Sequence, residues 1–198
     1  MAIIGITGGI GSGKSVISSL LRGMGYEVID ADSYAKWLMQ NDCTVREQLK
    51  QRFGEDVFVD GQLNRRYLAD SVFSDEERLQ ALNAIVHPAI KRSLTESSSR
   101  YNQSLLFFEA AILIESGFGE MMDAVITVTA PVDLRIRRVM QRSALTREQI
   151  VQRINNQWSD EMKLAQSDFV IVNNEQQALI PQVEKIVRTL QSSLFSTQ

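Results

Sequence analysis

The octapeptide Gly8-Gly9-Ile10-Gly11-Ser12-Gly13-Lys14-Ser15 constrains this chain more than any other stretch. It satisfies Gly-x-x-x-x-Gly-Lys-[Ser/Thr] at every fixed position. Ahead of it, Ala2-Ile3-Ile4-Gly5-Ile6-Thr7 is short, apolar and β-branched, the composition of a strand buried on both faces of a parallel sheet. Behind it, Val16, Ile17, Leu20, Leu21 and Met24 recur at helical spacing. Glycines let successive backbone N–H groups turn inward around an anion, and the new helix aims its unpaired N–H groups and positive dipole end at the same place. Gly9, Ile10, Gly11, Ser12, Gly13, Lys14, Ser15 and Val16 are therefore the expected triphosphate-binding residues. Lys14 would reach the β- and γ-phosphates and the Ser15 hydroxyl would ligate Mg²⁺. A dinucleotide loop fits less well, because Lys14 stands where a third glycine belongs.

The 198 residues suit one domain, or one core with an inserted subdomain, and 44% hydrophobic with 23% charged residues is the balance of a globular chain. A formal net charge of −3 supplies no global basic field for nucleic acid, whereas a phosphate site needs only local dipoles and a few cations. Cys43 is the only cysteine, which excludes an internal disulfide and a cysteine-rich metal site; an inert thiol is its default reading. The opening apolar run is short, lacks a cationic lead-in and is needed as a strand, so no signal peptide is expected. Leu105 to Ile114, the longest apolar stretch, is interrupted by Glu109 and falls short of the ~20 residues of a membrane span. A reducing cytoplasm is the expected location.

Further along, Tyr26-Glu27-Val28-Ile29 reads as a second strand, with Asp30 and Asp32 at its carboxyl end, where ligands bind in an open parallel sheet. The two acids would share a side if the strand ran on that far; capping of the next helix is the competing reading. Residues 41–100 are helical and polar, with a loop at Val59-Asp60-Gly61. A capping box at Ser74 to Glu77 opens a helix that His87-Pro88 is expected to break. Strands bracket this region, so it reads as a helical insertion for a second substrate. Leu105 to Phe108 is a third strand, and Glu109 after it has the Walker-B arrangement, a carboxylate that holds Mg²⁺ directly or through water. Val125 to Thr129 is a fourth strand, Asp168 to Asn173 the last, and Val183, Ile186, Val187 and Leu190 form the apolar stripe of a closing helix with Pro181 near its first turn.

Between the last two strands, Arg135, Arg138 and Arg142 share a face at i, i+3, i+7. A capping box at Thr146 to Gln149 then opens a helix bearing Arg153 and Gln157. Two short arginine-rich helices joined by a turn suit a lid over a triphosphate, since guanidinium stays charged and binds phosphate oxygens in bidentate fashion. A solvated helix face is the plainer reading of such a charge run.

Taken together these stretches resemble the dephospho-coenzyme A kinase family, of the nucleoside-monophosphate-kinase-like P-loop group. Ile4 to Ser15 is similar to its opening, Asp30-Ala31-Asp32 to its Asp-Ala-Asp motif, Gly61 to Arg65 with Leu68-Ala69 and Leu82 to Pro88 to its coenzyme-binding region, and Arg138 to Arg142 with Arg153 to Gln157 to its lid. The resemblance implies a three-layer α/β/α P-loop fold with a central parallel sheet. Its core would be residues 1–40, 104–132 and 165–198 of a single kinase domain spanning 1–198, with a helical insertion at 41–100 and a lid at 133–160. It implies ATP and Mg²⁺ as cofactors and dephospho-coenzyme A as substrate, with no nucleic acid or membrane partner and a monomer or weak homo-oligomer. It implies catalysis by Asp32 as base with Lys14, Arg142 and Arg138, Arg142 also binding ATP, and metal held by Ser15 and Glu109. Substrate would be bound by Asp32, Arg65, His87 and Glu115. His87, the sole histidine, would by itself read as a structural hydrogen-bonder. The family pattern is departed from at Ala111, where a proline is common, and at Asn64 and Val172, where acids are common. The alternatives are a kinase for another small acceptor, such as a nucleoside monophosphate, and a nucleotide-dependent switch. A GTPase switch is disfavoured by the absence of Asp-x-x-Gly and Asn-Lys-x-Asp.

Overall fold

The structure, a computed structural model, describes residues 1–73, 75–97 and 104–195. In chain order the elements are β1 (Ala2–Thr7), α1 (Lys14–Gly23), β2 (Glu27–Asp30), α2 (Ala31–Asn41), α3 (Cys43–Phe53), β3 (Phe58–Val59), β4 (Gln62–Leu63), α4 (Arg65–Val72) and α5 (Glu76–Ser97). They continue as β5 (Leu105–Glu109), β6 (Ala124–Thr129), α6 (Val132–Arg142), α7 (Arg147–Asn155), α8 (Asp160–Ala165), β7 (Phe169–Val172) and α9 (Leu179–Phe195). Among the described residues no helix is long and apolar enough to cross a membrane. The chain divides into two units, Met1–Asp30 with Tyr101–Gln198, and Ala31–Arg100.

The first unit is built on a parallel sheet of five strands in the order β2-β5-β1-β6-β7. β1 lies at its centre because its residues have to be dry on both faces. One face carries Ile4, Ile6, Phe107 and Ile126, packed with Ile17 and Leu21 of α1 and Val183, Ile186 and Leu190 of α9. Tyr26 meets Phe107 edge-on, with ring centroids 5.5 Å apart. On the strand itself Gly5 leaves space that a Cβ would close, 2.4 Å from Leu113 Cδ2. The register sets Asp30 beside Glu109 at the carboxyl edge of the sheet. β2 ends at Asp30 and Ala31 opens a helix, so the extended continuation that would put Asp30 and Asp32 on one side does not occur.

The second unit buries Leu38, Val45, Leu49, Phe53, Leu68, Ile90 and Leu94 among its helices. Two features differ from the sequence expectations, the stretch around Asp60 and the helix at Pro88. The stretch read as a loop at Val59-Asp60-Gly61 is the turn of a small hairpin, β3 with β4, where Asp60 and Gly61 take positive φ (50° and 76°) as a two-residue turn requires. Ahead of α5, Asp75 Oδ1 accepts from the Arg78 amide at 3.0 Å; Ser74, where the capping box was expected to begin, lies outside the described residues. Pro88 does not break that helix: α5 runs through it. The buried stripe of Val86, Ala89, Ile90 and Leu94 outweighs the one backbone bond that proline removes. Asn64, where an acid was noted as common, caps α4 by accepting from the Tyr67 amide at 3.2 Å.

Phe107 is fully buried in the central layer. Phe107→Ala is expected to lower the unfolding free energy by about 3–5 kcal/mol, read from urea denaturation. A loss below about 1 kcal/mol would mean that this layer is loosely packed.

Candidate active site

The loop between β1 and α1 is shaped to present open N–H groups. Gly13, at the helix N-cap, takes a left-handed conformation (φ 100°, ψ 26°). No side chain caps α1 and its first turn holds no acid, so its positive end is left open toward the loop. Lys14 Nζ folds back over the loop to the Gly8 carbonyl at 2.8 Å and the Gly9 carbonyl at 3.5 Å. Burial pushes the Lys14 ammonium down from 10.5 to about 8, opposed by the nearby Glu109 carboxylate and assisted by Lys163, Arg135 and Arg142.

Glu109 ends β5 next to this loop, and its carboxylate accepts a 2.5 Å hydrogen bond from Ser18 Oγ. Ser18 is wholly buried on α1, so it fixes the acid from below. A cleft of about 290 Å³ opens here, where Lys14, Ser15 and Glu109 meet Ile10, Gly11 and Gly13 of the loop and Ala111, Arg142 and Gln157. The Ala111 carbonyl accepts from Thr7 Oγ1 at 3.5 Å and the Ala110 amide extends the ladder to Ile6. Within the loop Gly9 and Ser12 are buried, and Val16 in the first turn of α1 is half exposed.

The three arginines expected on one lid face part company. Arg135 is buried, with Nε donating to the Ile10 carbonyl and Nη1 paired with Asp160. Arg138 Nη2 donates to the carbonyl and Oδ1 of Asn173 and to Glu175, while Asn173 Nδ2 donates to the Ser12 carbonyl. Arg142 alone of the three lines the cleft. All three lie on α6, which a small core of Ile136, Val139 and Ile150 joins to α7 and on which Ile10 of the loop also packs. Thr146 and Gln149 form the capping box expected of α7.

Glu115 is engaged elsewhere than the cleft lining: Lys163, fully buried on α8, forms an ion pair with its Oε1. The remaining expected residues belong to the second unit. Asp32 is exposed in the first turn of α2, Arg65 is exposed at the start of α4, and His87 is half-buried midway along α5. Burial holds the His87 imidazole below its ordinary value, so it is neutral at physiological pH. Sequence reading missed Ser18, Asn173, Asp160 and Lys163. Only Ser18 left a signal, one helical turn after Ser15 on the helix that follows the loop.

The profile of the dephospho-CoA kinase family matches residues 2–178. The chain belongs to the dephospho-CoA kinase family. A dephospho-CoA kinase of Bacteroides fragilis is 42% identical over 192 residues, covering 96% of this chain and 94% of the relative. One of Thermus thermophilus is 46% identical over 171 residues, covering 86% and 82%. A crystal structure from Thermus thermophilus superposes with a TM-score of 0.78 at 41% identity, covering 98% of this chain and 97% of that one. Shikimate kinase from Acinetobacter baumannii, at 16% identity and a TM-score of 0.54, shares the fold alone, covering 98% and 96%. The fold of this dephospho-CoA kinase family member is thus that of P-loop kinases, as its opening octapeptide implied.

An ammonium that is half neutral near pH 8 gains a proton when phosphates arrive beside it. Calorimetry in buffers of different ionisation heat should show proton uptake on ATP binding between pH 8 and 10.5, approaching one proton near the middle of that window and fading toward pH 7. Lys14→Met should abolish it. Uptake that ignores pH would mean Lys14 is not the group that meets the phosphates.

Proposed function

We propose that the chain transfers the γ-phosphoryl group of ATP to the ribose 3′-hydroxyl of dephospho-coenzyme A, giving coenzyme A and ADP. The observation that carries this reading is the convergence of Lys14, Ser15, Glu109 and Arg142 on one cleft at the open end of α1. Phosphoryl transfer asks little of a protein beyond positioning and charge neutralisation, and these groups supply both. Loop amides and Lys14 hold the β- and γ-phosphates. Arg142 meets charge on the transferring group, and Arg138 supports the loop through Asn173. Asp32 orients the attacking hydroxyl and accepts its proton. Arg65, His87 and the Glu115 region serve the acceptor.

The donor set fits Mg²⁺. A hydroxyl and one carboxylate are oxygen ligands of the kind that magnesium takes together with substrate phosphates. Among the described residues no group of three or more His, Cys, Asp and Glu forms a site of its own for an ion. Ser15 and Glu109 would hold the ion, which when bound offsets charge on the β- and γ-oxygens. On this reading the enzyme works in the cytoplasm as a monomer or weak homo-oligomer.

Two measurements test it. ADP release by purified protein should require added dephospho-coenzyme A; equal stimulation by a nucleoside monophosphate would shift the acceptor class, and release without any acceptor would favour a switch. Asp32→Asn should cut kcat by about 10²–10⁴-fold with ATP affinity retained. Near-normal turnover would remove Asp32 from its role.

A further inference from the structure

Gly9 and Gly11 occupy positions that the phosphate-binding pattern leaves free. Something else excludes side chains there. A Cβ on Gly9 would lie 2.0 Å from Arg135 Nη2 and 2.5 Å from its Cζ, and a Cβ on Gly11 would lie 2.6 Å from the Arg135 carbonyl oxygen. Gly11 also has positive φ, but Gly9 does not, so at Gly9 the exclusion is a matter of space alone.

Arg135 is built in on every side. Its side chain is 4% exposed, with Nη1 3.0 Å from Asp160 Oδ1. The other Asp160 oxygen accepts from Thr129 Oγ1 at 2.9 Å. Arg135 Nε donates to the Ile10 carbonyl at 2.9 Å, and the Ile10 amide donates to Gln157 Oε1 at 2.9 Å. The peptide groups on both sides of Ile10 are thus gripped from outside the loop. A guanidinium suits the task because its fixed fork serves a carbonyl and a carboxylate at once, which an ammonium on a flexible stem does not.

We infer that Arg135 is a positioning residue that buttresses the phosphate loop from beneath, and that Gly9 is a glycine to admit this guanidinium rather than to admit phosphate. Arg135 does not line the cleft. It acts by fixing the direction of the loop amides that do. The inference rests on the reading of this loop as the triphosphate site.

Arg135→Gln separates the possibilities. The glutamine amide nitrogen stands as many bonds from the backbone as the arginine Nε, so it still reaches Ile10, while the space under Gly9 empties and Asp160 loses its cation. ATP affinity, measured by calorimetry on folded protein, should fall about tenfold in Arg135→Gln, which is about 1.4 kcal/mol, with the acceptor KM little changed. Gly9→Ala alone should cost about a hundredfold or more, the scale on which misplaced binding groups are felt. The double variant Gly9→Ala/Arg135→Gln should bind ATP as well as Arg135→Gln does. Losses that simply add in the double variant would overturn the inference, because Gly9 would then answer to the phosphate. If Gly9→Ala or the double variant is not recovered folded, Arg135→Gln decides: unchanged ATP affinity, or equal rises in the KM of ATP and acceptor, overturns it. Wild-type protein that fails to bind ATP would instead overturn the triphosphate reading on which it stands.

Discussion

A loop of backbone amides grips a triphosphate only while its peptides stay turned toward the anion, and so glycine-rich a stretch has few bonds of its own to keep them there. The restraint comes from around it. β1 fixes one end in the middle of the sheet and α1 fixes the other. Asn173 takes the Ser12 carbonyl, Gln157 the Ile10 amide and Arg135 the Ile10 carbonyl. The side chain of Ile10 adds an apolar anchor to the α6–α7 core. Preorganisation of this kind spares the loop a conformational cost at the moment of binding.

Charge is arranged around the same loop with equal economy. Lys14 is surrounded by cations, Arg135, Arg142 and Lys163, and Glu109 is the opposing carboxylate. Desolvation in this partly dry place is the first cause of the lowered Lys14 ammonium, and the excess of positive charge around it adds to the effect. The excess is a standing demand for an anion. Ser18 and Glu109 show how one hydroxyl on the second turn of α1 holds a strand-end acid in a fixed place.

What could be read from sequence was what short stretches determine by themselves. The strand–loop–helix at residues 2–23 is set by adjacent residues, as is the Thr146–Gln149 capping box, and both stand where the pattern put them. Pro88 misled because its local preference was overruled by a buried stripe that only tertiary packing reveals. α8 has six residues, too few to show a period. Its two charged anchors, Asp160 and Lys163, resemble surface residues until their partners are known, and those partners lie 25 and 48 positions away. Arg135 was legible as a cation but not as a buried one, for the same reason. In the second unit, Asp32, Arg65 and His87 sit on separate helices, and their part in acceptor binding rests on resemblance to the family rather than on local pattern.

The sheet order has a consequence for synthesis. β1 pairs with β5 and β6, so Ala2 finds its register partner only at Leu105 and Ile4 its other one at Ala124. At ordinary ribosomal speed, about 5–20 residues per second, the wait is on the order of ten seconds. Throughout it an apolar, β-branched hexapeptide has no sheet to join. The strand at the heart of the finished enzyme is thus the part of the nascent chain most in need of shelter, and its late partners set when the catalytic loop first acquires a shape.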